Sequence, residues 1–122
     1  MIYIVNNAVP IVIATLAGLL VGAAFYPGLR SVRGWVTLFL AEFWFASILA
    51  GALILAPAEA DAWVMAVGTA VVIWVGFVAP VLIVTLSQHA VNARNIVRDL
   101  GHWLAVMVVE AVVLHAIGLT PP

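Results

Sequence analysis

The chain contains no cysteine and no lysine. The first absence removes disulfides, thiol catalysis and thiolate metal sites, and with them any reading of the redox compartment. The second leaves Arg30, Arg33, Arg94 and Arg98 as the only fixed cations, against five acids. A nucleic-acid partner needs a basic footprint, and none is present. Charge of either sign is scarce: 7% of the 122 residues are charged, where a soluble domain carries about 25%. The first basic residue is Arg30, so the opening apolar run has no basic n-region and is expected to be a retained helix, not a cleaved signal peptide. Two familiar chemistries are missing as well. Ser31, Ser47 and Ser87 lie in no nucleophile elbow, and no glycine-rich phosphate loop occurs. No catalytic residue is assigned, and the chain is not expected to be an enzyme.

Apolar residues make up 67% of the chain, and its mean hydropathy is +1.30. So few polar groups could not cover a folded surface in water, which places the chain in a bilayer. About 20 helical residues cross the ~30 Å hydrocarbon layer. The sequence predicts an all-α membrane protein, a single domain of four transmembrane helices over residues 7–26, 34–56, 62–86 and 100–119. Asn6 or Asn7 is available to cap the first helix, with Tyr3 at the interface, and Pro27-Gly28 ends it. Ala14, Gly18, Gly22 and Tyr26 recur every fourth residue along one face; this small-residue row, with Gly18 and Gly22 at its centre, suits close helix packing, within the chain or in a homo-oligomer. Pro57 stops helix two, and Trp63 follows the acidic turn as an interfacial anchor. In helix three Gly68, Gly76 and Pro80 share a face, and Pro80 removes the hydrogen bond that would reach Gly76. A hinge is expected there. Asp99 is read as the N-cap of helix four.

All four arginines fall in the first and third connections. The positive-inside rule makes those connections cytoplasmic and puts both termini outside the cytoplasm.

Helices two and four each carry one carboxylate. Arg30, Trp35 and Glu42 match Arg98, Trp103 and Glu110 at a single offset, the pattern of two repeated helical hairpins. Each Trp–Glu pair is seven residues apart on one face, so Glu42 and Glu110 are expected at similar depth on helices running in the same direction. A charged carboxylate there costs at least about 2.5–3.5 kcal/mol facing lipid. It must face protein or water, pair, or hold a proton. With no Arg or Lys inside a span, the available partners are Thr15, Thr37, Ser47, Thr69, His115, the tryptophan N–H groups, or each other. Two readings follow: a proton or cation site, or a protonated glutamate acting as interhelical glue. In the first, Trp35, Trp44 and Trp103 are aromatic walls for a cationic or amphipathic guest, with His115 nearby.

The histidines raise a haem or pigment reading, with His89 and His102 as the sensible pair. Ala111 one turn before His115 resembles the chlorophyll-ligating helices of bacterial antenna polypeptides in that detail. No cofactor is assigned otherwise, and no metal-ligand spacing is present.

Three stretches carry a wider resemblance: Gly22-Ala-Ala-Phe-Tyr26-Pro27 followed by Trp35, then Trp74-Val-Gly76-Phe77, then Asp99-Leu-Gly101-His102-Trp103. Together they resemble an uncharacterised bacterial family of small four-helix membrane proteins, a domain of unknown function (family 1761). The resemblance implies four helices in a bacterial cytoplasmic (inner) membrane and supplies no activity. Size and helix number also resemble the small multidrug exporters, whose proton-coupled glutamate lies in helix one; here helix one has no acid. Beyond the lipid bilayer, the partners expected are further copies of the chain or a larger membrane complex. The functions in view are transport or binding at the glutamates, an accessory role in a respiratory or photosynthetic complex, and haem or pigment binding.

Overall fold

The computed structural model describes residues 1–122, which are helical with no strand. A short α1 (Ile2–Asn6) leads into α2 (Ala8–Phe25), followed by α3 (Val32–Leu55), α4 (Ala62–Ile73), α5 (Ala79–Gln88) and α6 (Ala93–Ile117). A π-helical turn (Trp74–Val78) joins α4 to α5, so these two form one continuous third span. The four spans, Ala8–Phe25, Val32–Leu55, Ala62–Gln88 and Ala93–Ile117, are long and apolar enough to cross a membrane.

Only 19 of the 122 residues are buried, so the large apolar side chains point outward. Six of the eleven buried hydrophobic residues are alanine: Ala14, Ala46, Ala50, Ala66, Ala70 and Ala111. In lipid an outward leucine loses nothing, whereas small inward residues let helix backbones approach and gain dispersion contacts. α2 packs mainly on α6 and α3, while α6 also contacts the third span. α2 and the third span do not touch, and the third span is the most exposed of the four.

Local chemistry sets the helix ends. Ser31 Oγ accepts from the Gly34 N–H at 3.1 Å, and Asp61 Oδ2 accepts from the Trp63 N–H at 3.0 Å, which starts α3 and α4. α6 begins a full two turns before the expected residue 100. Asn92, not Asp99, is its cap, accepting from the Asn95 N–H at 2.9 Å. The Arg94-to-Asp99 stretch is polar because it lies toward the bilayer surface, and it is helical all the same. Gly118, at φ +95°, ends α6 in a conformation that disfavours a side chain.

Asn7 does not act as a side-chain cap either. Its side-chain amide donates to the Tyr3 and Thr120 carbonyls, both at 2.8 Å, and its oxygen accepts from the Thr120 N–H at 2.7 Å. This clip fixes the start of the first span to the residues after the fourth. Tyr3 turns inward, donating to the Ser47 carbonyl at 3.0 Å beside Gly51.

Candidate functional site

The two spans that carry the acids run in the same direction, as the matched Trp–Glu spacing requires, and both acids face α2. Glu42 is 4% exposed and Glu110 is fully buried. They meet at Gly18. A methyl group built there would lie 2.5 Å from Glu42 Oε2 and 2.7 Å from Glu110 Oε1. The two carboxylate oxygens are therefore no farther apart than the sum of those distances. Gly18, read from sequence as a helix-packing residue, leaves the space that the two carboxyl groups share.

Gly22, one turn along the same face, does the same for a third group. His102 Nε2 lies 3.4 Å and Glu42 Oε1 lies 4.0 Å from the position its Cβ would take. The order along α2 is thus His102 at Gly22, then Glu42, then Glu110 at Gly18.

None of the three has a protein partner. Glu42 Oε2, both Glu110 oxygens and both ring nitrogens of His102 are buried without a hydrogen bond. The reason lies in the neighbouring hydroxyls. Thr15, Thr37, Ser47 and Thr69 each donate to the carbonyl four residues back, at 2.6–2.9 Å, so none is left for a carboxylate. Trp74 Nε1–H is also taken, by the Leu100 carbonyl at 3.0 Å. A buried polar group without a partner costs roughly 1–3 kcal/mol, and a charged one more. The five atoms lie together along the face of α2 that carries Gly18 and Gly22.

A cavity of about 350 Å³ connects this row to the arginine-bearing end of the bundle. Arg30, Tyr26, Arg98 and Asp99 line its mouth, Trp35 and Trp103 its walls, and Glu42 and His102 its inner end. The residues repeated between the two hairpins therefore converge on one space, with Glu110 behind Glu42. Arg30 lies over the Trp35 ring at 5.3 Å from its centroid, with no acidic partner. Arg98 lies over Tyr26 at 4.9 Å and pairs with Asp99 at 3.5 Å. The Tyr26 hydroxyl donates to Asp99. Burial, with the Asp99 carboxylate beside it, pushes the Tyr26 phenol up to about 12.

Two of the expected site residues lie elsewhere. Trp44 is half exposed and lines a separate apolar pocket with Phe45, Ile48, Ile73 and Met107. His115 sits at the opposite end of α6, edge-on to Trp63 at 4.3 Å, in a second cavity of about 420 Å³. Thirteen residues of helix separate it from His102, a rise of about 20 Å, and His89 is exposed after α5. His89 and His102, the pair expected from sequence, thus differ in burial, the first exposed and the second 6% exposed. Between the glutamates and the second cavity lie Ile11, Ala14, Ala50, Met107, Ala111 and Leu114, all fully buried.

Sequence reasoning placed His102 only in the haem pair. A histidine one residue from the repeated tryptophan, on the face turned toward α2, was the available clue.

Comparison with protein-family models, with curated proteins and with solved structures finds no match to this chain. The reading of function rests on the site itself.

Proposed function

We propose that this chain is a small integral membrane protein that binds and moves a proton, or a small cation exchanged for it, at an intramembrane site formed by Glu42 and Glu110. One observation carries the reading: two carboxyl groups share the space at Gly18, deep in the bundle, with neither a hydrogen bond nor an ion pair to neutralise them. Two anions in that position repel strongly in a medium of low dielectric constant. A shared proton or an incoming cation relieves that repulsion, so occupancy of the site is coupled to charge. Interhelical glue would use the carboxyl groups as hydrogen-bonding groups, and here their protein partners are absent.

Trp35 and Trp103 give the cavity aromatic faces suited to an amphipathic cation at the Glu42 end. The buried plug of Ile11, Met107 and Leu114 supports access from one side at a time. By the positive-inside rule the open side is cytoplasmic and both termini are outside; the inner membrane of a bacterium is what the family resemblance implies. The test is proton flux into liposomes carrying the purified chain. E42Q combined with E110Q is expected to abolish it; undiminished flux in the double variant contradicts the reading.

A further inference from the structure

We propose that His102 is the group that passes protons between the cavity mouth and the Glu42–Glu110 pair, an inference that rests on the proton-site reading above. The imidazole is 6% exposed and lines the cavity. It is held without using its nitrogens. Phe25, Tyr26 and Trp103 contact the ring edge-to-face, with centroids at 5.4, 4.9 and 5.1 Å, and neither Nδ1 nor Nε2 has a hydrogen-bond partner. A structural histidine in a bundle is ordinarily fixed by hydrogen bonds through its nitrogens. This one is held among three aromatic rings and keeps both nitrogens without a hydrogen bond.

Its position is the second observation. His102 Nε2 and Glu42 Oε1 flank Gly22, while Glu42 Oε2 and Glu110 Oε1 flank Gly18 one turn deeper. Glu42 thus presents one oxygen toward the histidine and the other toward its fellow carboxylate. A proton taken up at one imidazole nitrogen leaves from the other, through a bridging water molecule, to Glu42. The imidazole is then neutral again in its other tautomer, and ring rotation restores the first. The proton count is unchanged on the histidine and rises by one on the pair.

The groups around His102 suit that role. Tyr26 at the end of α2, Arg30 before α3, Glu42 in α3, and Arg98 and Asp99 on its own helix are the titratable or charged groups lining the shared cavity; the third span contributes Leu82 and none. Arg98 and Tyr26 are engaged with Asp99, and Arg30 is stacked on Trp35. Among these residues only His102 combines two ring nitrogens without a hydrogen bond with a place between the mouth and Glu42.

The deciding experiment is a pH jump followed by time-resolved infrared absorbance of the carboxyl groups, on the full chain in vesicles, with E42Q and E110Q assigning the bands. H102A and H102F are compared, the phenyl ring preserving the aromatic contacts if alanine disturbs the fold. Both variants are expected to reach the wild-type end point, but about a hundredfold or more slowly. Added imidazole is expected to restore the rate in H102A and not in H102F. Wild-type rates in both variants overturn the relay and leave the glutamate site standing. Slowing that imidazole does not rescue assigns His102 a packing role and overturns it too. A wild-type spectrum without any carboxyl change that E42Q or E110Q removes sinks the proton-site reading, and the relay with it.

Discussion

Gly18 shows how one residue can serve more than the packing its sequence pattern predicts. A small-residue row ordinarily brings two backbones together, and sequence offers no way to see that side chains from two other helices fill the notch. The distances separate Gly18 from its neighbour in the row. In G18A the new methyl group meets carboxyl oxygens at 2.5 and 2.7 Å, whereas in G22A the nearest atoms are at 3.4 and 4.0 Å. G18A is therefore expected to lower stability by about 1–3 kcal/mol and to disturb the carboxyl infrared bands. G22A is expected to cost less than about 1 kcal/mol. Thermal melts in one detergent check both, and equal losses would mean that the shared notch is misplaced. The glutamates themselves were legible, because a carboxylate inside an apolar run must have a reason. His102 was not, since its meaning depends on Gly22, eighty positions earlier.

At the mouth, Tyr26 supplies a pH dependence with a defined sign. Burial first, and Asp99 second, raise its phenol to about 12, against the opposing pull of Arg98. The fold favours the protonated phenol, so this contribution to stability is complete below the ordinary tyrosine value of about 10 and is lost as pH rises through the raised value. The chain has two tyrosines. An ultraviolet titration should show a late ionisation from Tyr26, and Y26F should remove that step. A late step that survives in Y26F contradicts the Tyr26–Asp99 contact.

The third span is where an element departs from regular geometry. Sequence predicts a hinge at Gly76 and Pro80, and the chain forms a π-helical turn over Trp74–Val78, with the Ala79 N–H donating to the Trp74 carbonyl five residues back. Proline at residue 80 has no N–H to offer Gly76, so the ladder widens there instead of breaking. Trp74 closes the turn onto α6 through its bond to the Leu100 carbonyl. If this span moves when the site changes access, it moves at that turn. The chain has no native cysteine to remove, so V64C with V84C, both on exposed positions, report directly by spin-label distance. P80A is expected to narrow the distance distribution; an equally narrow one in the wild type would show a rigid third span. The start of α6 was the element least legible in sequence. Polarity imitated a loop, while the decision lay with a cap at Asn92 that competes with Asp99 by geometry alone.

For the whole molecule, composition settled the four-span architecture, because so few charges cannot clothe a soluble fold. The proposed topology rests on where the arginines lie, and it can be tested separately from function. A cysteine in L29C, at a fully exposed position of the first connection, should react with an impermeant maleimide only after cells are opened, whereas A58C in the second connection should react in intact cells. The opposite pattern would reverse the cavity's direction without touching its chemistry. That chemistry is the central claim: Glu42 and Glu110 act as one site. The most direct measurement is proton flux for wild type, E42Q, E110Q and the double variant in the same vesicles. A single shared site predicts that each single variant loses as much as the double, a strongly non-additive result. Losses that add, or a single variant that carries protons at the wild-type rate, would contradict it.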